Sequence, residues 1–220
     1  MAAIEPRELI VRRVAQELKS GQVVNVGIGL PTFVVNHLAH DVNIILHSEN
    51  GFVGMGDPPE PGREDPDLVN AGGQPSSIKP GGAFFDSATS FAIVRGGHVD
   101  VTILGGLQVD QDGNLANWAV PGRIIGMGGA MDLVVGAKRV IVAMEHRTKD
   151  GRSKVVRKCT LPLTATAEVD LLVTELCVIE FTPEGAVLRE IAPDVTIGEV
   201  LAATEARLYI PDEVGVMTVV

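Results

Sequence analysis

The chain has 220 residues, enough for one large domain or two small ones, and its 45% hydrophobic, 21% charged and 4% aromatic make-up is that of a globular protein with a core of Val, Ile, Leu and Ala. A net charge of −10 argues against nucleic acid, where attraction to phosphate dominates affinity, and against anionic membrane surfaces. It still allows a phosphorylated ligand held by local N–H groups and a few Arg or Lys.

In chain order, residues 6 to 20 are expected to form a helix: Pro6 suits the first turn, Leu9, Ile10, Val14 and Leu18 recur at helical spacing, and Gly21 suits the stop. QVVNVG (22–27) is a short strand. After GIGLPT (27–32), Pro31 opens a second helix through Val34, Val35 and Leu38. The apolar run Val42 to Leu46 is a buried strand, and SENGFVGMG (48–56) follows it as a glycine-rich turn. Residues 57 to 82 hold six prolines and five acids and form an irregular surface excursion. A loop this long inside a compact domain is functional or mobile, with a disordered insertion as the alternative.

Asp86 or Ser87 caps a helix that ends at Arg95 before Gly96-Gly97. VDVTILGG (99–106) is a strand, and a hairpin turns about Asp112-Gly113. GMGGAMD leads into a short helix and the strand RVIVAM (139–144). VDLLVT (169–174), CVIEFT (177–182) and AVLREI (186–191) are strands, the last two a hairpin, and Thr196-x-x-Glu199 is a capping box for a closing helix. Strands alternate with helices to about residue 146, and hairpins follow. The pattern predicts one domain, 1–220, with a three-layer α/β/α fold and a mixed, largely parallel sheet.

Glu49 stands where the Val42–Leu46 strand ends, and open α/β sheets gather their chemistry at strand ends. Gly51, Gly54 and Gly56 let a ligand approach the main chain. Glu49 is therefore a candidate nucleophile or base, although S-E-N-G taken alone more often marks an ordinary loop or helix-entry carboxylate. The glycine clusters at 27/29, 51/54/56, 96/97, 105/106 and 126/128/129 include no dinucleotide or Walker fingerprint. Several on one sheet still suggest a long ligand lying across strand ends. Ser48 lacks a G-x-S-x-G setting and a signalled His–Asp pair. The five histidines have no metal-ligand spacing, so no metal site is expected; His98 and His146 read as structural. Cys159 and Cys177, in apolar surroundings, read as two reduced core thiols. No apolar run approaches the ~20 residues that span a bilayer, and MAAIEPRELIVRR lacks the apolar stretch of a secretory signal. A cytoplasmic enzyme or binding protein is expected.

GIGLPT, SENGFVGMG, VNAGG, FFDSATSFAIVRGGHVDVTILGGLQVD, GNLANW, PGRIIGMGGAMDLV, AMEH, CTLPLT and VTEL occur in this order. With them, from about residue 6 to residue 210, the chain resembles the beta subunit of the family I coenzyme A transferases that act on 3-oxoacids. SENG and GMGGAMD are the most specific stretches. The resemblance implies that Glu49 is the covalent catalyst, passing through an acyl-glutamyl anhydride to a glutamyl-CoA thioester with ping-pong kinetics. It implies oxyanion or CoA-binding donors near Asn50, Gly51, Gly128 and Gly129, and a substrate pocket near Gly27, Gly29 and Ser48. Coenzyme A would be a substrate, with no permanently bound cofactor. An alpha subunit would complete the site, in an alpha2-beta2 heterotetramer.

Succinyl-using members of that family often carry Lys where this chain has Gly73. Its absence, together with VTELCVIEF and TEARLYI, leans toward acetate or butyrate as the acid and acetoacetyl-CoA or another short-chain acyl-CoA as its counterpart. Succinyl-CoA:3-oxoacid and 3-oxoadipate transferases are the alternatives. In other classes stand a sugar-phosphate isomerase or ligand sensor of the same fold, with no need for a nucleophilic glutamate at SENG, and a non-catalytic scaffolding subunit, against which an intact Glu49 argues.

Overall fold

Short apolar strands, buried on both faces, make the centre of the molecule, as parallel strands sandwiched between helices require. The computed structural model describes residues 4–218. In chain order it contains α1 (Pro6–Ala15), β1 (Val23–Val26), a 3-10 helix (Leu30–His37), β2 (Ile45–Ser48), β3 (Phe52–Met55), β4 (Ile78–Phe84), α2 (Ser87–Arg95), β5 (Val101–Leu104), β6 (Gln108–Asp110) and β7 (Leu115–Ala116). Then come β8 (Ala119–Val120), β9 (Arg123–Ile124), α3 (Ala130–Gly136), β10 (Val140–Ala143), β11 (Val155–Val156), β12 (Leu171–Val173), β13 (Cys177–Thr182), β14 (Gly185–Ile191), α4 (Ile197–Ala203) and β15 (Gly215–Val216).

Ten strands form one sheet in the order β15-β14-β13-β12-β10-β5-β1-β2-β3-β4. The middle of the sheet, from β12 through β10, β5 and β1 to β2, is parallel. Antiparallel strands flank it on both sides: β3 and β4 beyond β2, β13 and β14 beyond β12. Side-chain alternation along β10 divides the core. Val140 and Val142 pack with Val94 of α2, Leu133 of α3 and Val200 of α4. Ile141 and Ala143 pack with Ile10 and Val14 of α1 and Val34 of the 3-10 helix. Helical segments thus cover both faces of a mixed sheet, the α/β fold expected. Among the described residues no helix is long and apolar enough to cross a membrane.

Several boundaries differ from the sequence-based expectation. The first helix ends at Ala15 rather than residue 20; Leu18 remains buried in a turn, so its periodicity did not mark helix. The segment opened by Pro31 is a 3-10 helix. The strand expected at 42–46 pairs at Ile45–Ser48 instead, because His47 and Ser48 are buried through polar contacts and carry the ladder past the apolar run. GFVGMG is not all turn: Phe52–Met55 is β3, and the excursion expected at 57–82 ends in its antiparallel partner β4. These two strands approach so closely that a Cβ on Gly54 would stand 2.7 Å from Gly82 Cα. Glycines that read as breakers are the condition for the pairing. The Thr196 capping box forms as expected.

Arg13 fastens α1 to the far side of the sheet. Its Nε and Nη2 donate to the two oxygens of Glu190 on β14 at 2.7 and 2.8 Å, and its Nη1 to Glu17 at 2.7 Å. Arg139, just before β10, reaches the other oxygen of Glu17 at 2.7 Å. Burial pushes the Glu17 carboxyl up, but the hydrogen bonds and charges of Arg13 and Arg139 outweigh it and hold the group below its ordinary value. A depressed carboxyl contributes stability above its unfolded pKa and loses it as pH falls through the folded one. Arg13→Met should therefore lower unfolding free energy at pH 7 by about 3 kcal/mol, by stranding the partly buried Glu190 carboxylate and leaving Glu17 with Arg139 alone. Urea titrations should show the gap to the parent chain narrowing below about pH 4. An equal loss at both pH values would assign the effect to packing.

Candidate active site

Parallel pairing of β1 with β2 sets Asn25 opposite His47, two residues before Glu49. Asn25 is fully buried. Its Nδ2 donates to Glu49 Oε2 at 3.0 Å and to the His47 carbonyl at 3.2 Å, and lies 3.3 Å from His47 Nδ1. Carboxylate and carbonyl oxygens can only accept here, which fixes the amide orientation. His47 Nδ1 is then an acceptor, and the ring proton sits on Nε2, 3.0 Å from Ser90 Oγ on α2. Burial holds the imidazole below its ordinary pKa, with the Glu49 charge opposing, so His47 is neutral. Its ring lies nearly parallel to that of Phe85, at 16°.

Glu49, Asn50 and Gly51 form a three-residue hairpin loop between β2 and β3, not the entry to a helix. Gly51 has φ +138, and a Cβ there would lie 2.4 Å from the Phe85 carbonyl oxygen. Only glycine fits this position. The Gly51 N–H donates to Ser48 O at 3.0 Å within the turn, so it is committed to the hairpin and is no free oxyanion donor. Ser48 Oγ donates to Asn50 Oδ1 at 2.6 Å and accepts from Ala71 N at 3.0 Å, while Asn50 Nδ2 donates to Val69 O at 2.7 Å. These bonds tie the long loop to the turn. The loop is closed at its base by Gly56 N to Ser77 O at 2.9 Å.

From the other side comes the start of α3. A Cβ on Gly129 would meet Glu49 Cγ at 3.4 Å and the Phe91 ring at 2.9 Å, so GMGG packs directly against the Glu49 side chain. Gly128, φ +52, makes the turn into it. Half-buried Glu49 lines a cavity of about 740 Å³ together with Ser48, Gly29 and part of the long loop. Gly27 stands elsewhere: its N–H donates to Ile103 O at 2.7 Å, and a Cβ would press on Ile103 O and Leu104 at 3.1 Å, so it serves the β1–β5 contact.

The other reactive side chains have structural surroundings. His146 is buried between the hydroxyls of Thr174 and Thr204, its pKa pushed down to about 4 by burial and by Arg147 and Lys154. Burial pushes the thiols of Cys159 and Cys177 up to about 12, and neither is in a disulfide. Asn25, Ser90 and Phe91 were not foreseen as site residues. The polar Asn25 inside QVVNVG, an otherwise apolar strand, was the available signal.

The model of the coenzyme A transferase family matches residues 7–203. The chain is 57% identical over 208 residues to the beta chain of the acetate CoA-transferase of Haemophilus influenzae, covering 94% of this chain and 93% of that one. It is 51% identical over 205 residues to one of the subunits of the succinyl-CoA:3-ketoacid coenzyme A transferase of Helicobacter pylori, covering 93% and 99%. The fold is similar to that of an acyl-CoA transferase apoenzyme from Escherichia coli O157:H7, with a TM-score of 0.78 at 24% identity; the match covers 99% of this chain but 44% of that longer one. With the family model spanning nearly the whole fold and such identity to single subunits of these transferases, this chain belongs to the coenzyme A transferase family as the counterpart of its beta subunits.

Proposed function

We propose that Glu49 is the nucleophile of a ping-pong transfer of coenzyme A between acetoacetyl-CoA, or another short-chain acyl-CoA, and a monocarboxylic acid such as acetate or butyrate. The observation that carries this reading is the 3.0 Å bond from Asn25 Nδ2 to Glu49 Oε2 in the cavity wall. It holds one carboxylate oxygen and leaves the other for a ligand. That oxygen attacks the thioester carbonyl carbon; a C–O bond forms, the C–S bond breaks, and the CoA thiolate leaves an acyl-glutamyl anhydride behind. The thiolate then attacks the glutamyl carbonyl carbon, forming a C–S bond as the anhydride C–O bond breaks and the acid departs as carboxylate. A second acid runs the steps in reverse.

No proton moves in either step, which accords with a neighbouring His47 that is neutral and committed to Ser90 rather than aimed as a base. A carboxylate is a weak nucleophile toward a thioester, so contacts to remote parts of CoA must help drive the attack. The main-chain N–H groups of Asn50, Gly128 and Gly129 are assigned to the carbonyl oxygen as it gains charge, one such donor being worth about 3 kcal/mol. An alpha subunit is inferred to complete the site, in an alpha2-beta2 assembly in the cytoplasm. The relatives' own names, which call them subunits, support a partner chain.

With acyl-CoA and no acceptor acid, the two-subunit complex should accumulate the glutamyl-CoA thioester, because the released thiolate is held beside the activated carbonyl at an effective molarity of roughly 10⁵ M or more. Borohydride should then inactivate the enzyme, and peptide mass spectrometry should find Glu49 converted to an alcohol. Glu49→Ala should abolish turnover and labelling together. Label on Glu145 or Glu175 with Glu49 untouched would move the site. This chain assayed alone should be inactive with acetoacetyl-CoA and acetate and gain activity when an alpha subunit is added; full turnover by the lone chain would remove the two-subunit reading. Among acceptors, acetate or butyrate should exceed succinate in kcat/KM, since Gly73 supplies no cation and the exposed acids Asp57 and Glu64 outnumber Lys79 in the cavity lining. A higher value for succinate would transfer the assignment to the succinyl-CoA:3-oxoacid or 3-oxoadipate type.

A further inference from the structure

His47 stands two residues before Glu49, is 1% exposed, and takes part in no step of the transfer. Its Nδ1 lies 3.3 Å from Asn25 Nδ2 and its Nε2 3.0 Å from Ser90 Oγ. The side chains facing the ring are Asn25 of β1, Ser90 of α2 and Phe85 just before α2, all uncharged, and Glu49 supplies the charge that acts on it. The Asn25 amide turns its Nδ2 toward Glu49 Oε2 and the His47 carbonyl. Its Oδ1 is buried and, among the described residues, has no hydrogen-bond partner. An asparagine amide has nearly the same shape when turned over, so the way round it sits is set by the acceptors that it meets. A proton on His47 Nδ1 turns one of those acceptors into a donor.

We propose that His47 is a positioning residue for the nucleophile: with Nδ1 unprotonated it keeps the Asn25 amide turned so that Nδ2 donates to Glu49, and a proton on Nδ1 reverses the amide and withdraws that bond. The inference rests on Glu49 being the nucleophile. A ring protonated at both nitrogens would set its Nδ1–H against the Asn25 N–H groups, donor against donor. Turning the amide relieves this, because the partnerless Oδ1 then accepts from Nδ1–H. The same turn sets Oδ1 against Glu49 Oε2 and the His47 carbonyl, both acceptors, and the carboxylate loses its donor at 3.0 Å. With both ring nitrogens engaged and the residue enclosed, His47 acts through Asn25 rather than on a substrate. Burial opposes charging of the ring and the Glu49 carboxylate offsets this only in part, so the imidazole takes up its proton below its ordinary value and the released state belongs to acid pH.

The test follows formation of the glutamyl-CoA thioester from acetoacetyl-CoA in the two-subunit complex, without acceptor acid, between about pH 5 and 8. The parent rate should be level near neutrality and fall with uptake of one proton in a limb below about pH 6.5. His47→Gln offers Asn25 an acceptor and Ser90 a donor without a titrating ring. Its limb should move toward acid by about half a pH unit or more, roughly threefold in rate at a fixed pH inside the parent limb. His47→Leu offers neither group and should be about tenfold or more slower than His47→Gln at neutral pH. A limb that stays in place in His47→Gln, or equal rates for the two variants, overturns the proposal. Nitrogen NMR of the parent complex, with the histidines of this chain isotopically labelled, needs no variant to fold: His47 should carry its neutral proton on Nε2, and a proton on Nδ1 at neutral pH overturns the proposal by itself. Absence of any thioester in the parent at every pH would instead overturn the nucleophile reading of Glu49 and this inference with it.

Discussion

A single buried amide, the Asn25 side chain, joins the centre of the sheet to the carboxylate at the end of β2. Asn25 sits on β1, between β2 and β5, where apolar residues would pack at least as well. Its Nδ2 donates to Glu49 Oε2 and the His47 carbonyl and lies 3.3 Å from His47 Nδ1. Among the described residues its Oδ1 is buried with no partner, and so is Oγ1 of Thr102, its register neighbour on β5. An unpaired buried oxygen costs on the order of 1–3 kcal/mol. Stability alone gives no reason to keep such a residue; the orientation of Glu49 does, and local rules are broken most readily at functional sites.

The remaining contacts act to make that orientation unique. His47 is clamped by Ser90 on one edge and Phe85 on its face. Phe85 is itself fixed to the turn: its N–H donates to Gly51 O at 2.9 Å, while its carbonyl blocks any side chain at Gly51. Gly129 lets α3 approach until its main chain touches Glu49 and Phe91. Three separate segments of the chain therefore meet around one carboxylate, each through a glycine or a buried polar group. For the nucleophile role proposed for Glu49, a carboxylate held this way needs little reorganisation to attack, the form of catalysis open to a group that exchanges no proton.

Charge shapes the rest. The chain carries a net charge of −10, and its cavity holds more acids than cations. Such a surface favours a monoanion over a dianion. It does not by itself attract phosphates, so on the proposed function coenzyme A would be held through local N–H groups and cations of the partner subunit. The long loop from Asp57 to Ser77 contributes much of the cavity wall and is anchored to the Ser48–Asn50 turn through Val69 and Ala71. A segment that reads as a polar excursion in sequence is thus part of the site.

The sequence alone determined the continuously buried strands β5, β10 and β12, the capped helices α2 and α4, and the prominence of Glu49 within SENG. Each of these is set by local rules, namely strand burial, side-chain caps and residue chemistry, that act within a few residues. Tertiary structure decided the rest. β3 and β4 were missed because their glycines look like breakers until the two strands are laid together and Gly54 meets Gly82. β2 was placed too early in the chain because hydrophobicity cannot see that His47 and Ser48 are buried by hydrogen bonds. Gly27 and Gly29 look equivalent in GIG, yet one packs against β5 and the other lines the cavity. Asn25 carries no motif at all, and its value comes from a parallel register that brings it to a residue 24 positions away in the chain. Which polar atom reaches which partner is a property of register and packing between distant segments, and no local pattern encodes it.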